Sequence, residues 1–238
     1  MDIEFFLLER TKFIVFFYKT ASAPFSKIMN DIENQIPPYI PPYSEDSEPP
    51  FLAEWLDTKY GLDTCGHHAI SMLSSSLQLF LKEWVGRLDR FHGITFKVNF
   101  QKKGWFDGYR QIFKKLDLNM DDCPANLEII EQIPLVRNRI QHPEHLTSIY
   151  IEHSDNDLTK LSRPYFIQKS EFDSVSDQEN NSWLLPPVIS PSHEKIMEAV
   201  NNVELLCSWL ETSTGKVGIK YTRRIPMHFL PLTLSITY

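Results

Sequence analysis

Apolar residues recur at three- and four-residue steps along several stretches of the chain, which is typical of helices with one buried face. The stretch 65–90 predicts a long helix whose core face comprises Ile70, Leu73, Leu77, Phe80, Leu81, Trp84 and Leu88. A helix over 126–142 is predicted to bury Ile129, Ile130, Ile133, Val136 and Ile140, with Pro134 kinking or dividing it. A third helix should begin at Ser190 and end near Gly215, burying Ile196, Val200, Val203, Leu206, Cys207 and Leu210.

Shorter helices and connecting segments are predicted in the first half of the chain, before and after the long helix. Residues 3–18 are apolar on most sides and indicate a well-buried helix, which Pro24 should interrupt before 25–35 continue as helix. Four prolines in 36–43 predict an extended strap. Short helices are predicted over 51–60 and 106–116, and a loop or short hairpin over 91–103.

Residues 144–187 lack the helical pattern. Short β-like pieces at 147–151 and 165–168 and a polar loop at 170–182 predict an inserted hairpin with a mobile tip, and weak alternation in 217–238 indicates a strand pair. The predicted fold is therefore mainly α: a bundle of four to six helices with a small α/β or β-hairpin insertion. We divide it into an N-terminal helix and strap (1–50) packed on the bundle, a helical domain (51–215) with an insertion at about 144–187, and a C-terminal extension (216–238).

Composition narrows the function classes. Only 8 glycines against 16 prolines argue against a glycine-rich nucleotide-binding sheet, and a net charge of −7 argues against a generally basic nucleic-acid coat. Three widely spaced cysteines predict reduced thiols and a cytoplasmic location rather than a disulfide framework or a zinc cluster. Residues 21–23 resemble a signal cleavage site, but the partly acidic leader and short apolar run disagree, and no membrane association is expected.

The segment Arg137-Asn138-Arg139-Ile140-Gln141-His142, followed by Pro143, carries the candidate chemistry. A histidine titrates near neutrality and can move protons, and an arginine can hold a phosphate through two hydrogen bonds. Together they suit attack of an RNA 2′-hydroxyl on the adjacent phosphate. The same residues also suit a solvated, cation-bearing helix C-terminus without catalytic function.

This segment resembles the Arg-Asn-x-x-x-His signature of the HEPN superfamily, all-helical proteins that include ribonucleases of toxin–antitoxin and antiphage systems. The motif covers six residues, and the helical layout extends the resemblance loosely over 51–212. The resemblance implies a metal-independent endoribonuclease with catalytic residues Arg137, Asn138 and His142 and no cofactor. It also implies a homodimer with a composite active site, an RNA substrate, and an antitoxin or defence protein as partner.

Helix geometry and the neighbouring residues qualify this prediction. On a straight helix Arg137 and His142 point about 140° apart, but Pro143 should move His142 out of the α region, and a second chain can supply the other residue. Glu144 stands where one toxin branch carries the tyrosine modified by its antitoxin, so that control is not expected here. Glu83 is a candidate supporting carboxylate on an earlier helix, and Arg139 is expected to face elsewhere.

Other features leave alternatives open. Residues 82–116 hold nine basic and three acidic residues with interleaved aromatic rings, which fits either RNA contact or a solubilising face over buried rings. His142 and His145 have a zinc-ligand spacing, but Pro143 separates them, no third ligand is indicated, and His67 and His68 are expected at a helix start. The alternatives to the ribonuclease are a HEPN-like module that binds RNA or protein without cutting, and a structural subunit of a defence complex.

Overall fold

The computed structural model describes residues 2–43, 48–93, 96, 105–143, 148–159, 161, 163–168 and 186–222. Their helices are α1 (Ile3–Glu33), α2 (Leu52–His92), α3 (Trp105–Lys115), α4 (Leu127–Gln141), α5 (Asp155–Leu158) and α6 (His193–Thr222), with a 3₁₀ turn at Met120–Asp122. The described residues contain no strand and only two isolated antiparallel bridges, Glu152–Val188 and Ile167–Ile189. The predicted mainly helical bundle is confirmed.

Helix α1 differs from the prediction in two ways. It continues through Pro24 to Glu33, because Thr20 and Pro24 both face solvent, where water can hydrate the carbonyl that the proline leaves unpaired. It is also not buried on all sides: Ile14 is 1% exposed, whereas Phe13 and Phe16 are 55% and 63% exposed. Only one side of this apolar helix packs against the bundle.

Helix α2 is one helix where two were predicted. It starts directly after Pro49 and Pro50, as expected, and ends at Gly93 in the left-handed conformation. Gly61 does not break it but permits close packing, since a Cβ atom there would lie 2.4 Å from the Phe25 ring of α1. All seven residues of its predicted core face are buried.

Helix α2 lies at the centre of the bundle and contacts α1, α4 and α6. It runs antiparallel to α1, because Arg10 hydrogen bonds Ser76 and Glu33 accepts a bond from Trp55. It runs parallel to α6: the helix start near Pro191 packs on Gly66, and Trp84 Nε1 donates to Thr214 Oγ1 at 2.9 Å. The chain therefore buries one core between four long helices.

The predicted ends of α6 were wrong, although its six predicted core residues are all buried. The helix begins at His193 and extends to Thr222. Ser192, not Ser190, caps it, because Ser192 Oγ accepts from the Lys195 N–H. Ser190 Oγ is instead buried and donates to Asp63 Oδ1 at 2.6 Å, which joins this turn to α2.

Helices α3 and α4 follow their predicted ranges closely. Phe113 of α3 packs edge-on against Trp84 at 5.8 Å between ring centroids. Pro134 lies buried within α4 and does not divide it. The predicted face of α4 is buried apart from Ile140, which is half-buried.

The insertion differs from the predicted hairpin. Where the structure describes them, its two β-like pieces show no bridge to each other: Ile167 and Glu152, the residue after the first piece, each bridge to the segment 188–189. Gln132 of α4 holds this region, since its amide donates to the Arg163 carbonyl and accepts from the Tyr165 N–H. The predicted loop 170–182, most of 91–103 and the tail beyond 222 lie outside the described residues.

None of the helices that the structure describes has both the length and the apolar composition needed to cross a bilayer.

Candidate functional site

The predicted motif lies at the C-terminal end of α4. Arg137 is half-buried, and its Nη1 donates to Asn138 Oδ1 at 3.0 Å. His142 caps the helix: its backbone N–H donates to the Asn138 carbonyl at 3.0 Å, while its φ and ψ of −131° and 67° lie outside the α region. The predicted departure of His142 from the helix before Pro143 is confirmed, and its side chain is exposed.

Within one chain, Arg137 and His142 form no hydrogen bond with each other, and Arg137 bonds to Asn138 instead. A cavity of about 360 Å³ opens beside His142, and its described lining includes Arg139 rather than Arg137. Arg139 was expected to face away from Arg137, and the two arginines do differ in that only Arg139 lines this cavity. The Nε of Arg139 lies 2.5 Å from Asp157 Oδ2 on α5, and this partly buried ion pair ties the end of α4 to the segment that follows it.

The cavity lies between the end of α4 and the segment 148–156. Its described lining consists of Arg139, His142, Pro143, Ser148, Tyr150, Ile151, Glu152, His153, Ser154, Asp155, Asn156 and Pro186. Ser154 helps to shape this wall, since its hydroxyl caps α5 by accepting from the Asp157 N–H. The volume falls within the range of small-ligand clefts.

His153 is the residue of this cavity that the sequence did not reveal. It is 1% exposed, and neither ring nitrogen has a hydrogen-bond partner in the part of the chain that the structure describes. Burial lowers its pKa from 6.5 to about 4, which Asp157 opposes and Arg139 reinforces. The imidazole is therefore neutral at pH 7. No local pattern marks it, because its segment is held by a distant part of the chain: the Pro187 carbonyl accepts from the His153 N–H.

The charges around the cavity are mixed. Arg139 is paired with Asp157, whereas Glu152 and Asp155 are exposed at the cavity lining. His142 is exposed and lines the same cavity as Arg139. This arrangement can exchange protons with a bound molecule and form hydrogen bonds with it.

The other residues singled out in the sequence lie elsewhere. Glu83 is exposed, pairs with Arg90 at 3.4 Å, and borders a groove between α1 and α2 instead of the cavity. His67 lies within α2, not at a helix start, and hydrogen bonds the Ile189 carbonyl at 2.7 Å. Burial lowers its pKa.

The described residues give little support to the zinc site or to the RNA-binding basic region that the sequence left open. Its residues contain no group of three or more potential metal ligands, while His145 and Glu144 lie outside them. In the basic region, Arg87 Nη1 donates to both carboxylate oxygens of Glu211, and the Phe106 and Tyr109 side chains are buried. For these residues the solubilising face over buried rings is the better interpretation.

Comparison of the chain with protein-family models, with curated proteins and with solved structures found no match.

Proposed function

We propose that this protein is a metal-independent endoribonuclease of the HEPN type, acting in the cytoplasm as a toxin or antiphage defence effector. The observation that carries the proposal is the end of α4, where the Arg-Asn-x-x-x-His motif leaves the His142 imidazole exposed beside an open cavity. A polymeric substrate can reach an exposed side chain, and an adjacent cavity provides room for part of that substrate.

The proposed reaction needs no group beyond the protein and the RNA. The 2′-oxygen attacks the adjacent phosphorus as its proton leaves, and the bond from phosphorus to the 5′-oxygen breaks. The products are a 2′,3′-cyclic phosphate and a 5′-hydroxyl, so one proton is removed and one is delivered. His142 is the proposed acid or base, Arg137 stabilises the charge on the phosphoryl oxygens, and Asn138 orients the phosphate or the Arg137 side chain to which it is bonded.

Two chains are proposed to complete the site. Within one chain the Arg137 guanidinium bonds to Asn138, and the cavity lining includes His142 without Arg137. In a two-fold homodimer that pairs the ends of α4, Arg137 of one chain can approach His142 of the other. Each dimer would then hold two composite sites.

The second candidate function is a HEPN-like module that binds RNA or a protein of a defence complex without cutting. The same observation favours it, because a single chain does not bring the phosphate-binding arginine to the proton-transferring histidine.

The first experiment measures cleavage of bulk tRNA and mRNA in excess chelator, followed by analysis of the product ends. We expect cyclic phosphate products from the wild type and none from His142→Ala or Arg137→Ala. His193→Ala is the control, because His193 is an exposed histidine at the start of α6, away from the cavity. Full cleavage by His142→Ala contradicts the assignment, whereas absence of cleavage by folded wild-type dimer, with RNA retained, favours the binding module.

The second experiment tests the composite site. Arg137→Ala and His142→Ala chains are each expected to be inactive, but an equal mixture should form dimers that keep one intact Arg137–His142 pair. Random exchange predicts recovery of about a quarter of the wild-type rate, because half of the dimers are mixed and each holds one of two sites. No recovery in a mixture shown to contain mixed dimers contradicts the shared site.

A further inference from the structure

The cavity beside His142 contains an unusual polar group. The side-chain nitrogens of buried residues nearly always have hydrogen-bond partners, because an unpaired polar group costs free energy away from water. His153 is 1% exposed, lines the cavity, and lacks a partner at both ring nitrogens among the described residues. Both nitrogens are covered, so a molecule in the cavity reaches them only after the ring turns, and the imidazole then offers one N–H donor and one nitrogen acceptor.

The charges of the cavity favour a neutral ligand over an anion. The one arginine in its described lining is engaged by Asp157 at 2.5 Å. The carboxylates of Glu152 and Asp155 also line it and would repel a phosphate or a carboxylate. The same carboxylates accept hydrogen bonds from neutral groups that carry N–H donors.

One further lining residue suits a planar ligand. Tyr150 is 44% exposed and belongs to the cavity lining. Aromatic side chains that keep a face in solvent are the groups on which unpaired nucleic-acid bases stack. A nucleobase is neutral, planar and bordered by donors and acceptors, so it matches the charge, the ring and the unpaired imidazole together.

We propose that this cavity binds one unpaired base of the RNA, with His153 hydrogen bonding the edge of the base and Tyr150 stacking on its face. The inference rests on the proposed function in that it takes RNA to be the substrate. Since His142 lies at the same cavity, the bound base belongs to a nucleotide next to the scissile phosphate. Cleavage should therefore depend on the identity of that base, with the base held by the chain that supplies His142.

The test titrates purified protein with the four nucleosides, which carry a base and no phosphate, by calorimetry. We expect the wild type to bind at least one nucleoside, and His153→Phe to bind it about tenfold more weakly, the effect of losing about one hydrogen bond. Inorganic phosphate should not compete. Displacement by phosphate would make the cavity an anion site and overturn the inference.

A second pair of variants guards against misfolding of His153→Phe. Tyr150→Ala removes an exposed ring and should also weaken nucleoside binding about tenfold through lost stacking. Tyr60→Ala is its matched control, because Tyr60 on α2 is 43% exposed and lies outside the cavity lining. Equal affinity of the Tyr150→Ala and Tyr60→Ala variants for the nucleoside would contradict the proposed stacking and overturn the base pocket.

Cleavage assays separate this inference from the proposed function. If the wild type cleaves RNA while His153→Phe keeps the same base preference and kcat/KM, the ribonuclease stands and the base pocket is wrong. If nothing is cleaved but nucleosides bind through His153 and Tyr150, the pocket stands and the ribonuclease is wrong. If the folded wild type binds no nucleoside, the base pocket is wrong whatever the cleavage result.

Discussion

The buried imidazole of His153 makes the stability of this protein sensitive to acid. Burial disfavours the imidazolium form and lowers the pKa of His153 from 6.5 to about 4. Between those pH values the unfolded chain binds a proton that the folded chain does not. The free energy of unfolding therefore has its full value above pH 6.5 and falls as the pH decreases towards 4.

The size of this effect follows from the two pKa values. A difference of one pKa unit corresponds to about 1.36 kcal/mol, so lowering the pKa of His153 to about 4 makes the folded state less stable by about 3 kcal/mol at acid pH. Small proteins are stable by only about 5–15 kcal/mol, so the loss is easily measured.

His153→Phe removes the titrating group and its two unpaired nitrogens while filling similar space. We expect its stability at pH 7 to equal or exceed that of the wild type, because the replaced nitrogens have no partner among the described residues. At pH 4.5 the advantage of the variant should grow by about 2.5 kcal/mol. Urea unfolding followed by tryptophan fluorescence and circular dichroism, repeated from pH 4 to 8, measures the difference.

The control is His68→Phe, the same chemical change at an exposed position of α2. It should retain the acid-dependent loss that the wild type shows. The reasoning is refuted if His153→Phe loses as much stability between pH 7 and pH 4.5 as the wild type does, since the proton would then bind elsewhere in the unfolded chain.

Two further predictions concern packing. Alanine at Gly61 should destabilise the protein by about 1–3 kcal/mol, because its Cβ would meet the Phe25 ring. Alanine at Gly86 should stabilise the same helix by about 0.5–1 kcal/mol, because its added Cβ would meet no atom within 4 Å beyond its own stretch of helix. Thermal unfolding in which both variants shift stability in the same direction contradicts this account. Asp157→Ala should cost about 3–5 kcal/mol by removing the carboxylate of the Arg139–Asp157 ion pair, and Asp157→Leu combined with Arg139→Met should cost less in urea unfolding. An equal loss in the single and double variants would show that the partly buried charge of Arg139 is not responsible.

Periodicity predicted the core of this fold well, but not where its helices break. The face from Ile70 to Leu88 is buried throughout because its spacing alone places those side chains on one side of a helix. Pro24 was expected to interrupt a helix, and the stretch around Gly61 was expected to separate two helices. Their effect depends instead on a ring of another helix and on exposure to water, and neither is visible in the local sequence.

The exposed rings of α1 illustrate a related limit. The sequence shows that Phe13 and Phe16 are apolar, but burial requires a neighbouring element on that side of the helix. In the structure α1 packs through the side that carries Ile14 and Tyr18, and the opposite rings stay exposed.

The local sequence indicates the motif and the turn at His142, but it does not indicate which other residues form the cavity beside it. The turn at His142 follows from Pro143, a local effect that needs no knowledge of the fold. The roles of Arg139 and His153 depend on contacts with Asp157 and Pro187, which lie 18 and about 34 residues away along the chain. Such contacts arise only after the chain has folded back on α4.

The parallel packing of α2 and α6 sets the order in which this protein can mature on the ribosome. Trp84 donates to Thr214, 130 residues later in the chain. During synthesis, α1 and α2 emerge early and can pair as neighbours, and Phe113 of α3 can then pack on Trp84, but the side of Trp84 that faces Thr214 is covered only after α6 has been translated. Nascent chains therefore leave part of the α2 face uncovered until α6 emerges, and a truncated product without α6 lacks one side of the core.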